Sequence, residues 1–361
     1  MIDIFLLHPG KLVESPYYKY LVNFPPKNCK FVNKKDLKLD YSPKEFFKIK
    51  RIKYILKKVM RIGVPSLMYK FESNKYDLIH CAHCIPLNRG NWLVDFEYIW
   101  SLAANLEKKH NILHKLIIKK FLSSKSCRKI IPWTYAGAET IKKWYGNSFK
   151  EKTEVIYPAI PFTPFKKKKR NKICLIFISR FFYGKGGLIA VEVFSRLLKK
   201  YDNVEAKVIS NVPESIKKNK KYNKIKFIDV LPHNEIITSV LPQADILIYP
   251  GVLDSFGFIF LEAMNFSVPI VTVDGFARKE IVTEEVGFII NRPKKIEIKR
   301  ITKREKKIIE EMVEKTSILI EKDKLRKRMG KKGQELIKKG KFSIKFRNSN
   351  LIKIYEESIK K

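Results

Sequence analysis

Between residues 172 and 290 short apolar runs alternate with stretches of helical periodicity, and few folds accommodate that rhythm. KICLIFIS, VEAKVIS, IKFIDV, DILIYP, PIVTV and GFII read as strands. KGGLIAVEVFSRLLKKY, HNEIITSVLPQ, a segment at 257–266 and ARKEIVT read as the helices between them. Strands that are apolar on both faces and joined through helices build a parallel, doubly wound sheet. The first half repeats the pattern more loosely in Ile2–Leu7, which ends in HPG, in YDLIHCAH at 76–83 and in CRKIIPWT around 127–134. VIYPAIPFTPFKKKKRNK, residues 155–172, has the prolines and basic run of an interdomain linker. A chain of 361 residues is comfortable for two such domains. They would face a cleft, and ligands bind beyond the carboxyl ends of parallel strands.

Charge narrows the partners without choosing among them. Against 36 acidic residues stand 75 Lys and Arg, a formal net charge of +39, which suits an anionic partner: nucleic acid, an acidic membrane surface or a phosphorylated substrate. A proteome-wide lysine bias accounts for such an excess equally well. No stretch has the ~20 apolar residues of a membrane-spanning helix, and MIDIFLLHPG lacks the marks of a signal peptide, so a cytoplasmic protein is expected. Residues 42–63, SPKEFFKIKRIKYILKKVMRIG, have the spacing of a basic amphipathic helix, either packed on a core or lying on an anionic membrane at the inner face of the cell membrane. Five scattered cysteines fit reduced thiols. HCAHC, with His80, Cys81, His83 and Cys84, has no second Cys/His pair to complete a zinc site, so no metal is expected.

Two clusters carry candidate chemistry. In SRFFYGKGG, Arg180 and Lys185 stand among glycines between a strand and a helix, a cradle suited to a diphosphate and equally the residues of a plain turn. In LDSFGFIFLE, Asp254 precedes a helix start at Phe256 and Gly257, and Glu262 sits in an apolar run where a carboxylate needs a partner. Either a ligand hydroxyl or a basic core side chain would serve.

Taken together, Arg180 and Lys185, VIYPAI and the stretch from IKFIDVLPHNEIITSVLPQ to EEVGFII resemble the retaining glycosyltransferases of family 4. The likeness is close over about 155–290, thin over the first domain, and returns at FSIKFRNSNLIKIYEESIKK. It implies an α/β GT-B fold: two doubly wound Rossmann-like domains facing a cleft, an acceptor-side domain at 1–157, a nucleotide-sugar domain at 158–340, and a helix at 341–361 crossing back to the first. By the same resemblance Arg180 and Lys185 hold the donor diphosphate, Glu262 the ribose, and Asp254 with the amides of Phe256 and Gly257 the sugar. Asp254 is one methylene shorter than the family's usual Glu. His80 or His83 would face the sugar, and Gly10 matches a loop glycine of the first strand. The implied reaction moves a sugar from a nucleotide-diphosphate sugar to a glycan or lipid-linked acceptor, with no cofactor, no metal and no specific nucleic acid. An inactive scaffold of the same fold and a basic nucleic-acid or membrane-surface protein remain as alternatives.

Overall fold

Strands apolar on both faces satisfy their backbone only inside a parallel sheet covered by helices, and the computed structural model has two. It describes residues 1–9, 16–38, 66–69, 75–103, 112–167, 170–251 and 254–360. Gly10 and the segment 42–63 lie outside the described residues. Two compact units divide the chain: Met1–Pro161 with Lys341–Lys361, and Phe162–Gly340.

The first unit contains β1 (Ile2–Leu7), β2 (Cys29–Phe31), β3 (Leu67–Met68), β4 (Leu78–Ala82), β5 (Ile85–Pro86), β6 (Trp92–Phe96) and β7 (Cys127–Pro132). Five of these form a parallel sheet in the order β2-β1-β4-β6-β7, while β3 pairs with β5. Its helices include α1 (Pro16–Asn23), α2 (Ile112–Ser123) and α3 (Tyr135–Tyr145). Every residue of β4 is buried, His80 included. The expected linker is partly a packed edge. Ile156, Ala159 and Ile160 are buried, because Glu154 and Ile156 donate their amides to Ile130 and Pro132 at the margin of β7.

In the second unit β8 (Ile173–Ser179), α4 (Gly187–Lys200), β9 (Val204–Ser210), β10 (Lys226–Ile228), β11 (Ile246–Tyr249), α5 (Phe258–Asn265), β12 (Ile270–Val273) and β13 (Gly287–Ile290) follow the expected rhythm. Helices α6 (Lys303–Glu321) and α7 (Asp323–Lys338) complete it. The parallel sheet runs β10-β9-β8-β11-β12-β13, so its order reverses between β8 and β11. In open parallel sheets ligands bind at such a switch point, past the carboxyl ends of the two strands. HNEIITSVLPQ is not one helix. It is an α turn at His233–Glu235, a wide π turn at Ile236–Val240 and a 3₁₀ turn at Leu241–Gln243, where Pro242 cannot donate to a continuing ladder. Helix α7 lies close on α5: a Cβ at Gly330 would come within 2.1 Å of the Ser267 carbonyl oxygen.

The last helix, α8 (Ile344–Ile359), belongs to the first unit. Arg128 donates to the Ser358 carbonyl at 3.2 Å, and buried Arg347 donates to that of Phe24 at 2.5 Å.

Candidate active site

The glycines of SRFFYGKGG are required by close approach. Gly186 has φ +77°, and a Cβ there would lie 2.8 Å from the carbonyl carbon of Pro250. At Gly251 a Cβ would lie 2.9 Å from the Lys185 carbonyl oxygen. The loop after β8 therefore presses on the loop after β11, backbone to backbone, as only glycine permits. That contact delivers Lys185 to Asp254, whose Oδ1 accepts from the ammonium group. Arg180, half-buried, holds the first position past β8. Gly257, with φ +84°, caps α5; a Cβ there would strike the ring of Phe260 at 2.6 Å. Phe256 is buried and its ring packs on Phe258 with centroids 5.0 Å apart.

Both acids have partners within the chain. Asp254 is also approached by Arg278, whose Nη2 lies 4.0 Å from Oδ2. Arg278 is buried, and Nη1 donates to Thr272 Oγ1 at 2.7 Å and to the Val273 carbonyl at 2.9 Å. Burial depresses its pKa, since the charged guanidinium loses water. Tyr249 lies beside the same carboxylate, and burial first, then Asp254, pushes its hydroxyl pKa well up. Glu262, 5% exposed, has its Oε1 2.8 Å from His233 Nε2. Of the two partners open to Glu262, a ligand hydroxyl or a basic core side chain, the second is present in His233. His233 Nε2 approaches the carboxylate through one oxygen, Oε1.

The two histidines of YDLIHCAH part ways. His80 is wholly interior: Nδ1 lies 2.8 Å from the Tyr355 hydroxyl, and Nε2 is 3.1 Å from buried Asp95 Oδ2, off the line of a hydrogen bond. Tyr18 donates to the other Asp95 oxygen at 2.5 Å. The expectation that either histidine could face a substrate is corrected for His80, whose ring fastens α8 to the sheet. His83, just past β4, holds a left-handed φ of +53° and packs edge-on against Tyr18 and Trp133. Non-glycine residues held there concentrate at functional sites. Ser101 Oγ donates to the Tyr98 carbonyl at 2.7 Å, so it accepts from His83 Nδ1 at 3.3 Å, which leaves Nε2 with its lone pair. Burial lowers the pKa of this ring to about 4. Cys81 and Cys84 are buried, and Cys84 donates to the Leu7 carbonyl. Among the described residues no group of three or more His, Cys, Asp or Glu is placed to hold a metal ion, and no helix is long and apolar enough to cross a membrane.

Sequence reasoning missed His233, Arg278 and Ser101. His233 opens HNEIITSVLPQ, but nothing in that segment marked it as the partner of Glu262. Arg278 and Lys279 look alike in ARKEIVT, and only the structure separates the buried one from the exposed one.

Parallel sheets covered by helices in two units are those of glycosyltransferases of the GT-B fold, and solved structures of that class share this fold. Anabaena HepE in complex with UDP-glucose matches with a TM-score of 0.63 over 99% of this chain and 100% of its own, at 12% identity. S. aureus TarM in complex with UDP matches at 0.56 over 77% of this chain and 55% of its own, at 15% identity. Residues 160–336 match the family described as glycosyl transferases group 1, and that stretch is a domain of this family. Among curated proteins, the phosphatidylinositol N-acetylglucosaminyltransferase GPI3 subunit of Saccharomyces cerevisiae is 25% identical over 127 residues. That alignment spans 34% of this chain and 28% of the yeast protein.

Proposed function

We infer that the protein is a retaining glycosyltransferase that moves a sugar from a nucleotide-diphosphate sugar to a glycan or lipid-linked acceptor without a divalent metal. The observation that carries this reading is the meeting of Lys185 and Asp254 at the switch point, with Glu262 in the helix that follows. Leaving of a nucleoside diphosphate builds negative charge on its oxygens, which Arg180, Lys185 and the amides opening α5 can stabilise in place of a metal ion. Asp254, with the amides at Phe256 and Gly257, would hold the sugar, and Glu262 Oε2 would accept from the ribose. His83 Nε2 is an acceptor for a hydroxyl in the first unit. The acceptor attacks from the face the diphosphate leaves, so no carboxylate nucleophile is named. The sequence context supports action in the cytoplasm or on the inner face of a membrane, where residues 42–63 are proposed to meet anionic lipid.

UDP, GDP, ADP and their common sugars, screened by melting temperature in EDTA and again in magnesium, test the reading. One nucleoside diphosphate should raise the transition equally in both. Its sugar conjugate, incubated with candidate acceptors, should then give a product of unchanged anomeric configuration by NMR. Stabilisation by RNA or anionic vesicles and by no nucleotide would leave only the fold.

A further inference from the structure

Arg278 has no task in the chemistry above, and its depth calls for a reason. Its neighbour Lys279 reaches solvent and pairs with Asp274 at 3.0 Å. The Arg278 guanidinium instead lies 4.8 Å from the centroid of Phe260 and 5.9 Å from that of Tyr249. Nη1 is engaged by Thr272 and Val273, but Nη2 is buried with no hydrogen-bond partner. Facing it at 4.0 Å is Asp254 Oδ2, which is also buried and also without a partner. A guanidinium loses much hydration at such depth and is kept where an anion compensates it. Asp254 thus stands between two cations and hydrogen-bonds only one of them, Lys185.

We propose that Arg278 is a positioning residue, the second counter-ion of Asp254, which takes over the carboxylate when Lys185 leaves it for the donor's diphosphate. The inference rests on the donor-site reading above. Lys185 serves two anions in turn: Asp254 when the site is empty, the diphosphate when it is filled. Without a second cation the filled site would hold a carboxylate in a largely buried place with its charge uncompensated, and such a group takes up a proton. Closing the Nη2 to Oδ2 separation from 4.0 Å to a charge-assisted hydrogen bond takes a shift of only about 1 Å. Arg278 cannot follow Lys185 to the diphosphate, because Thr272, Val273 and the two rings hold it in place. The other titratable or charged groups around the pair are Tyr249, against Asp254, and Asp274 and Arg292, which act on Arg278 through space.

Two measurements test this. The first is a crystal structure of Lys185→Met without ligand. Asp254 should turn onto Arg278 and bond it directly; a carboxylate still about 4 Å away, or turned outward, overturns the proposal. The second is calorimetric titration of wild type, Arg278→Met and Arg278→Lys with UDP, GDP and ADP near pH 6, in buffers of differing ionisation enthalpy. Arg278→Met should take up more protons on binding than wild type, and Arg278→Lys, which keeps the charge, should restore the wild-type count. An arginine with a merely structural role would lower the melting temperature and leave the proton count alone, so equal counts overturn the proposal. Asp254→Asn in the Arg278→Met background should abolish the extra uptake. If no nucleoside diphosphate binds wild type, the donor reading fails and the exchange with it; if one binds but the Lys185→Met structure shows no new pair, only the role of Arg278 falls.

Discussion

Glu262 offers the sharpest test of the proposed donor site, because on that reading its two oxygens have separate tasks. Oε1 is committed to His233 at 2.8 Å, and Oε2 is the oxygen assigned to the ribose. A hydrogen bond to a charged acceptor contributes about 1.5–3 kcal/mol. Glu262→Ala should therefore weaken nucleotide binding by about a hundredfold, and Glu262→Gln, which keeps the shape but loses the charge, by about tenfold. With ligand at about 100 times the wild-type dissociation constant, stabilisation falls from about 2.7 kcal/mol in wild type to about 1.4 in the glutamine variant and about 0.4 in the alanine variant. At about 2–4 °C per kcal/mol for a domain of this size, the shifts are about 5–11 °C, 3–6 °C and 1 °C. The ligand-free proteins serve as their own controls. His233 is 30% exposed on its side chain and can turn to water, so losing the pair should cost the folded state only about 1 kcal/mol. The assay is a melt with and without the nucleotide found in the screen, in EDTA. A full wild-type shift in Glu262→Ala would refute the assignment and leave Glu262 as the structural partner of His233.

Burial holds the His83 pKa near 4, below its value of about 6.5 in an unfolded chain. The unfolded state therefore binds the extra proton first, and stability should fall as pH drops from about 7 to 4, by about 2 kcal/mol once the partly open ring is allowed for. His83→Asn, which tolerates the left-handed backbone, should flatten that slope in urea melts at pH 4.5 and 7.5; an unchanged slope would place the titration elsewhere. Gly330→Ala should destabilise the second unit by about 2–4 kcal/mol, since the new methyl would meet the Ser267 carbonyl, although alanine favours an isolated helix by about 1 kcal/mol. A gain in melting temperature would show that α7 can shift off α5. Gly186→Ala combines a φ of +77° with a Cβ 2.8 Å from Pro250, so it should push the two loops apart, break the Lys185–Asp254 contact and weaken nucleotide binding at least tenfold by calorimetry; unimpaired binding would remove Lys185 from the donor's surroundings.

How much of this was legible before the structure depended on whether the signal was periodic or three-dimensional. The strands of the second unit were readable because burial on both faces demands continuous apolar runs, and ICLIFIS or ILIY has no other use. The HNEIITSVLPQ segment misled because its apolar spacing suits a helix, while β-branched residues and Pro242 break the ladder into three kinds of turn. At the site, Glu262 stood out because a carboxylate in an apolar run is expensive, and Asp254 because it precedes the start of the same helix. Their partners did not, because His233 and Arg278 become neighbours only when the ends of distant strands are brought together. The two histidines of YDLIHCAH were inseparable by pattern, since a strand end and a strand interior differ here by three residues. The left-handed turn at His83 separates them.

These pairings bear on how a donor would bind. An electrostatic site with naked charges would attract any anion and would be strongly weakened by salt. Here Lys185 is already bonded to Asp254, and Glu262 to His233. A nucleotide must replace contacts rather than fill vacancies, so the net gain per charge is small and selectivity rests on matching several groups at once. Inorganic phosphate can offer Lys185 an anion but nothing to Glu262 Oε2, and a nucleoside can do only the reverse. On the proposed reading each half-ligand binds poorly and the joined nucleoside diphosphate binds well. The +39 net charge would then speed the approach of anions without deciding which one stays.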